Sequence, residues 1–405
     1  MAIVKPFKAL RPPQDKAEQV ACVPYDVVSD EEVREITAKN PSSFLRVTRP
    51  EAEFGTDDPA RAFGEAKKHL DRYISDGLLE QDAEPCIYVY RLADGDHQQT
   101  GIVGCCAVDD YDTDVIKKHE KTRPDKVRDR TNHMLALRAQ TGLIFLAFRN
   151  TDEMRRLIQE TVKCEPVYDF SCPKCVRQTV WRVPQADSFV KAFENIPNLY
   201  VADGHHRAQS ASLARKELSD HNPGHTGDED YNFVMAGIFP SEDLAIMAYN
   251  RVVKDLNGLS EDEFLAKLRD SFVITETTER QPNERGRFAM YLGGRWYELK
   301  YNVNNVQDPG PLESLDVQII QQNVLEPLLG IDDPRTNKRI TFVGGGRGID
   351  ELEKMVDDDG YAVAFSLFPT TMDDLFAVSD MGEVMPPKST WFEPKLKDGL
   401  FVHKI

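Results

Sequence analysis

The segment Asn198–Ala211, NLYVADGHHRAQSA, places an acid, two imidazoles and a guanidinium almost side by side. The apolar run before these groups predicts a strand, and the small residues after them predict a helix. A helix N-terminus presents unpaired N–H groups and partial positive charge, so it favours anions. The polar groups therefore predict a phosphate or carboxylate site, formed by Asp203, His205, His206 and Arg207.

Gly204 supplies the flexible position of this predicted turn. Asp203 has three possible tasks: it caps the helix, holds a histidine tautomer or binds a metal. A capped helix with a polar first turn is a sufficient explanation for Asp203 alone. It explains two histidines and an arginine beside an apolar strand less well, so we favour a functional site.

A second candidate is the basic segment Ile116–Arg130, IKKHEKTRPDKVRDR, in a chain whose net charge is −18. Positive charge concentrated in an acidic protein suits a polyanionic small substrate such as a nucleotide. His119 and Glu120 supply a potential general base and its neighbour. A solvated basic loop explains the segment about equally well. If it is functional, we expect residues facing the same cavity as His205 among Lys117, Lys118, Lys121, Arg123 and Arg130.

Three further segments carry weaker signals. VGGGRGID, Val343–Asp350, lacks the residue order of a P-loop and the spacing of a dinucleotide fingerprint, which favours a flexible turn before a helix. The CPKC pair Cys172–Cys175 has zinc-knuckle spacing, but no second pair completes four ligands, so ordinary loop cysteines are expected. Lys388, Ser389 and Thr390 either line a site or belong to a packing strap.

Composition limits the possible classes of protein. An acidic chain of 405 residues with a pI near 5.0 repels nucleic-acid phosphates, so we expect no nucleic-acid partner. The sequence has no run of eighteen apolar residues and its first residues lack the apolar region of a secretory signal, so we expect no membrane span and a cytoplasmic location. Seven scattered cysteines are expected to be reduced thiols.

The order of strand and helix patterns predicts an α+β fold with a mixed sheet. We predict a central domain over 86–240, an N-terminal part over 1–85 and a C-terminal part over 241–405. Among the individual elements, Ser29 and Glu32 predict a capping box for a helix over about 30–39. Phe44–Pro50 reads as a strand, 127–141 as a helix, and Glu313–Gly330 as one amphipathic helix.

Four strings occur in an order that resembles a known family: KPFKALRPP with VPYDVVS, HEKT followed by DR, YVADGHHR, and MPPKSTWFEPKL. Together they resemble the family called domain of unknown function 1015, over about Lys5 to Leu400. The DGHHR turn is also distantly similar to the phosphate loop of the ParB and sulfiredoxin-like superfamily, which includes free-serine kinases. This second resemblance implies that the central domain has a ParB/sulfiredoxin-like core.

The resemblance to serine kinases implies a nucleotide-dependent phosphotransferase acting on a small hydroxyl compound, with free L-serine first, ATP or ADP as donor, and Mg²⁺. It makes Glu120 with His119 and His206 the catalytic groups, and Asp203 the metal contact. The nucleotide would be held by Asp203, Gly204, His205, His206, Arg207 and Arg130. One departure is Asn250, where a histidine before Arg251 is expected. A nucleotide-binding regulatory module and a metal-dependent phosphate hydrolase are the alternatives.

Overall fold

The structure is a computed structural model that describes residues 1–55, 58–171, 176–302 and 309–405. Its described residues form two compact units. Unit 1 comprises Met1–Lys118, Thr122–Leu244 and Pro394–Ile405, and unit 2 comprises His119–Lys121 and Ala245–Glu393. The chain therefore leaves unit 1 twice and returns to it for its last twelve residues. The predicted division at residues 85 and 240 stays a prediction.

Unit 1 is built on a mixed sheet with helices around it. Its strands are β1 Val4–Lys5, β2 Leu10–Arg11, β3 Glu80–Gln81, β4 Ile87–Asp94, β5 His97–Ala107, β6 Ile116–Lys117, β7 Ala139–Gln140, β8 Ile144–Phe148, β9 Tyr168–Ser171, β10 Arg177–Val183, β11 Leu199–Asp203, β12 Phe233–Pro240 and β21 His403–Lys404. Its helices are α1 Ala17–Val20, α2 Asp30–Lys39, α3 Leu45–Thr48, α4 Pro50–Phe54, α5 Pro59–Ser75, α6 Val108–Asp112, α7 Pro124–Leu137, α8 Asp152–Thr161, α9 Asp187–Phe193 and α10 His205–Asp220, with 3₁₀ turns at Gln14–Lys16, Asp230–Asn232 and Ser241–Asp243.

The main sheet of unit 1 has nine strands in the order β6-β11-β8-β12-β5-β4-β10-β9, with β1 paired to β5. Strands β6 and β11 pair parallel, as do β8 and β12, whereas the other pairs are antiparallel. Apolar side chains of this sheet, including Ile87, Leu146 and Val201, are buried in one core cluster with residues of the flanking helices. The α+β prediction is confirmed.

Unit 2 contains an antiparallel six-stranded sheet in the order β15-β17-β16-β19-β14-β18 and a separate pair, β13 and β20. Its strands are β13 Ala245–Met247, β14 Tyr249–Val253, β15 Phe272–Thr277, β16 Arg287–Leu292, β17 Arg295–Tyr301, β18 Ile340–Gly344, β19 Val363–Leu367 and β20 Trp391–Glu393. Its helices are α11 Glu261–Leu268, α12 Asp316–Ile320, α13 Asp350–Asp357 and α14 Met372–Asp380, with a π turn at Gln321–Leu325 and a 3₁₀ turn at Gly345–Arg347.

Local sequence signals predicted some helix ends well and others poorly. The capping box of Ser29 and Glu32 is present and begins α2 at Asp30. Helix α7 begins earlier than predicted, at Pro124, a residue that suits the first helical position. It also ends earlier, at Leu137, because Arg138 adopts a left-handed backbone with φ of +52°.

Two element predictions were wrong. The predicted strand over Phe44–Pro50 is two short helices, α3 and α4: the side chains of Leu45 and Val47 pack into a helical core cluster, and Pro50 suits a first helical position. The helix predicted to run to Gly330 is α-helical only to Ile320 and continues as a π turn. Pro327 has no N–H with which to extend a helix.

Candidate functional site

The predicted strand, turn and helix around DGHHR are confirmed in unit 1. Strand β11 ends at Asp203, and α10 begins at His205. Gly204 joins them with φ of +92°, in the left-handed region that glycine adopts without strain. Because Gly204 has no side chain to cap the helix, the N–H groups of the first turn are not satisfied by their own N-cap residue.

Gly204→Ala is expected to lower the free energy of unfolding by more than the roughly 1–2 kcal/mol that a left-handed backbone costs an L-residue. The added Cβ would also lie 3.3 Å from Ile144 Cα. Gly227→Ala is the matched control, because Gly227 has φ of +98° with open space around it. Urea unfolding measures both variants. A Gly204→Ala protein as stable as the Gly227→Ala protein would contradict the tight packing of this turn.

Asp203 is held on both carboxylate oxygens. Its Oδ1 accepts a hydrogen bond from the Gly204 N–H at 2.7 Å, and its Oδ2 forms an ion pair with Lys395 Nζ at 2.6 Å. Asp203 is 41% exposed at its side chain and Lys395 is 14% exposed. These bonds fix the turn and tie Asp203 to a lysine of the C-terminal segment, and the three tasks considered for Asp203 stay predictions.

His206 is oriented by the basic segment. The backbone N–H of Arg123 donates to His206 Nε2 at 3.0 Å, so neutral His206 carries its proton on Nδ1. One helical turn on, the Thr122 hydroxyl donates to the side chain of Gln209. His205, the first residue of α10, is buried. The start of the helix and the end of the HEKTR string are therefore brought together within unit 1.

Arg207 is engaged by a buried carboxylate. Its two terminal nitrogens each bond one oxygen of Asp398 at 3.0 Å, and Nη1 also donates to the Leu143 carbonyl at 3.0 Å. The side chain of Asp398 is 2% exposed. Burial alone would lower the pKa of Arg207, but Asp398 and neighbouring negative groups raise it overall. Burial raises the pKa of Asp398 to about 6, and Arg207 limits that rise, so the pair is ionised at neutral pH.

Arg130 and Arg207 line the same small cavity. The guanidinium carbons lie 4.4 Å and 5.2 Å from the ring centre of Tyr25. Arg130 also bonds the Thr48 carbonyl at 3.3 Å and pairs with Asp129 at 2.6 Å. The cavity measures about 30 Å³, room for a water molecule rather than for a nucleotide. Its polar lining comprises Tyr25, Thr48, Arg130, His133, Gln140, Thr141, Arg207 and Asp398.

Burial changes the titration of two other groups in this lining. It raises the pKa of Tyr25 to about 12 and, with the charge of Arg130, lowers the pKa of His133 to about 3. Tyr25 and His133 are therefore neutral at pH 7. The arginines consequently face a polar but uncharged tyrosine and histidine, and Asp398 supplies the negative charge that Arg207 bonds.

The other basic side chains of the segment Ile116–Arg130 have different partners and environments. Lys118 pairs with Asp114 at 2.7 Å and lies over the Tyr111 ring, while Arg123 pairs with Asp125 at 2.8 Å. Lys117 is half-buried in β6, and Lys121 belongs to unit 2. Arg130 lines the cavity of Arg207, but that cavity's lining does not include His205. The prediction of a cavity shared with His205 stays a prediction.

His119 and Glu120 belong to unit 2, where two residues of the MPPKST string contact His119. The Met385 N–H donates to the His119 carbonyl at 2.8 Å, and Thr390 Oγ1 lies 3.2 Å from His119 Nε2. Both roles considered for Lys388–Thr390 stay predictions, because the residue that Thr390 contacts is itself a candidate site residue. The buried His119 is fixed through both its backbone and its ring.

Arg251 is a buried cation of unit 2. Its side chain is 1% exposed, lies over the Phe342 ring at 5.3 Å and donates to the Tyr249 carbonyl. Burial lowers the pKa of Arg251 to about 10, whereas Tyr249 and Glu120 oppose that change. Glu120 is half-buried.

Asn250 and the glycine string Val343–Asp350 have structural tasks in unit 2. Asn250 Oδ1 accepts from the Leu367 N–H at 3.2 Å, which ties β14 to the end of β19. The glycine string ends β18 and leads through a 3₁₀ turn to α13, as the turn interpretation predicted. The cysteine pair Cys172–Cys175 lies outside the described residues.

Sequence reasoning missed Lys395 and Asp398 as partners of the DGHHR turn, and Gly142 beside them. A Cβ on Gly142 would collide with Arg207 Nη1 and Asp398 Oδ1. The sequence signal was the string MPPKSTWFEPKL, noted for its family resemblance, which contains Lys395 but ends before Asp398. Spacing could not reveal the contacts, because about 190 residues separate Asp203 from Lys395.

The sequence pattern of one family, described as "Protein of unknown function (DUF1015)", matches residues 4–318. The chain belongs to this family. The predicted family resemblance is therefore confirmed over most of the chain. No curated protein matches the sequence significantly.

Among solved structures, this family member is similar to SbnI with a C-terminal truncation from Staphylococcus aureus, at 13% identity and a TM-score of 0.40, over 73% of this chain and 85% of that one. A free serine kinase in complex with AMP matches at 14% identity and a TM-score of 0.35, over 69% and 84%. A conserved hypothetical protein from Pyrococcus furiosus matches at 14% and 0.36, over 72% and 92%. Within the described residues, no helix is both long and apolar enough to cross a membrane.

Proposed function

We propose that this protein is a nucleotide-dependent phosphotransferase that acts on a small hydroxyl compound, with free L-serine as the first candidate acceptor and ATP or ADP as the donor. The observation that carries the proposal is the Asp203–Arg207 turn. It combines a left-handed glycine, the start of a sixteen-residue helix and His206. Such a turn offers N–H groups, partial positive charge and an imidazole to phosphate oxygens.

In this proposal the phosphates contact the N–H groups of the first turn of α10 and the Nδ1–H of His206. The bond from Arg123 to Nε2 supports that assignment, because it directs the ring proton to Nδ1. His205 shapes the same turn from the buried side. Arg207 acts indirectly, by holding the helix start through Asp398 and Leu143, rather than by contacting phosphate. We assign Arg130 the same indirect role through Tyr25.

Glu120 is the proposed base. In the chain only Lys121 and Thr122 stand between Glu120 and Arg123, whose N–H contacts His206. The acceptor hydroxyl oxygen forms a bond to the transferred phosphorus, the bond to the nucleotide leaving group breaks, and the hydroxyl proton passes to the Glu120 carboxylate. His119, fixed by Met385 and Thr390, anchors the backbone next to Glu120.

Mg²⁺ is the metal that a nucleotide-dependent transfer implies, and Asp203 was its predicted contact. Both Asp203 oxygens are already bonded, one of them to a lysine ammonium at 2.6 Å. This arrangement does not fit a preformed Mg²⁺ ligand, since a cation would have to replace Lys395. The roles of His206 and Glu120 above do not depend on the metal.

A panel of nucleotides tested by thermal unfolding is expected to show stabilisation by ATP or ADP, because a ligand that binds only the folded state stabilises it by about 2.7 kcal/mol at a hundred times its Kd. His206→Ala should lose most of that stabilisation. The control is His221→Ala, since exposed His221 lies at the far end of α10. If no nucleotide raised the unfolding temperature, or if both variants were stabilised equally, the proposed phosphate site would be contradicted.

A further inference from the structure

The last segment of the chain, Pro394–Ile405, is anchored along unit 1. Its residue Pro394 accepts a hydrogen bond from Gln99 at 3.1 Å, and Asp398 exchanges two backbone hydrogen bonds with Cys22 at 3.0 Å. Val402 does the same with Leu10 at 2.9 Å. These bonds lie on both sides of Lys395 and Asp398, so the two side chains project from a fixed backbone.

Those two side chains bind opposite ends of the DGHHR turn. Lys395 pairs with Asp203, the first residue of the motif, and Asp398 pairs bidentately with Arg207, the last. Between them lie Gly204 and the histidines. Gly142 leaves room for the second pair, because any side chain there would meet Arg207 and Asp398.

The packing between these ion pairs is also tight. A Cβ on Gly237 of β12 would lie 2.9 Å from Leu396 Cδ1, so the residue between Lys395 and Lys397 sits directly against the sheet. A one-residue shift of the segment would bring a charged side chain to that apolar position. The register of the segment, and with it the placement of both ion pairs, is therefore specified by burial.

We infer that Pro394–Ile405 is a clamp that positions the Asp203–Arg207 turn, with Lys395 acting through Asp203 and Asp398 acting through Arg207. These are positioning residues of a segment outside the matched family region, which ends at residue 318. The effect on nucleotide affinity rests on the proposed function. The effect on the turn itself does not.

Lys395→Ala, Lys395→Arg and Lys397→Ala provide the first test. The Asp203–Lys395 pair is partly exposed, so its loss should change the unfolding midpoint little. ADP affinity, measured by calorimetry, is expected to fall at least tenfold in Lys395→Ala and to recover mostly in Lys395→Arg. Lys397 donates its backbone N–H to the Tyr90 hydroxyl, a bond that Lys397→Ala keeps, so this variant should bind like the wild type. Equal affinities for the two alanine variants would overturn the role of Lys395.

Hydrogen exchange of the peptide spanning Asp203–Arg207 gives a readout that needs no nucleotide. Exchange should be several-fold faster in Lys395→Ala and Asp398→Asn than in Lys397→Ala, under conditions where all three are folded. Unchanged exchange in both variants would overturn the clamp. If the wild type bound no nucleotide but exchange rose as expected, the clamp would stand and the proposed function would fail.

Discussion

Arg207→Ala is expected to lower the free energy of unfolding by about 3–5 kcal/mol, the usual cost of leaving one member of a buried ion pair without its partner. Asp398 is 2% exposed and would keep a carboxylate with neither of its two guanidinium hydrogen bonds. Denaturant unfolding, followed by circular dichroism, measures the change.

Arg215→Ala is the control for this experiment. Arg215 lies two turns along the same helix, but its partners Asp109 and Asp112 are 72% and 42% exposed. Exposed pairs contribute little, so this variant should lose less than about 1 kcal/mol. The double variant Arg207→Ala/Asp398→Ala should lose less than the sum of the two single changes, because it removes the unpaired charge. Equal losses in Arg207→Ala and Arg215→Ala would contradict the buried pair.

The second large effect concerns the proton that the acceptor hydroxyl loses during the proposed transfer. Glu120→Gln keeps the size of the side chain but removes its capacity to accept a proton, so turnover should fall by roughly a hundredfold or more. The affinity for ATP or ADP should change little, because the proposed phosphate contacts are made by α10. Steady-state kinetics measure turnover, and calorimetry measures affinity.

Glu326→Gln is a matched control, since Glu326 is an exposed glutamate of unit 2 just after the π turn. It should turn over like the wild type. Full turnover in Glu120→Gln would remove the assigned base. A large loss of nucleotide affinity in the same variant would instead place Glu120 among the binding groups.

The DGHHR turn was predictable because its signals are local. An apolar run, a glycine and small helix-forming residues fix β11, Gly204 and α10 within about twenty residues of sequence. The capping box of α2 was readable for the same reason. Phe44–Pro50 was misread because its branched residues also suit a helix once their side chains pack against α5.

The contacts of the site were less accessible to sequence reasoning. Arg207 was expected to bind phosphate, and nothing near it in the sequence indicates that Asp398 would occupy its guanidinium. Likewise, Met385 and Thr390 lie far along the chain from His119, which they fix. Such pairs form only when the chain has folded, and residue type alone cannot specify which distant carboxylate meets which arginine.

The most direct measurement is a multiple-turnover assay with a nucleotide donor and L-serine, in which phosphoserine is quantified against enzyme concentration. The account predicts phosphoserine in large excess over enzyme with ATP or ADP, and a loss of roughly a hundredfold in Glu120→Gln. Nucleotide binding without product from serine or other small alcohols would contradict it and leave a nucleotide-binding regulatory module. Release of inorganic phosphate without any acceptor would contradict it as well, in favour of a hydrolase.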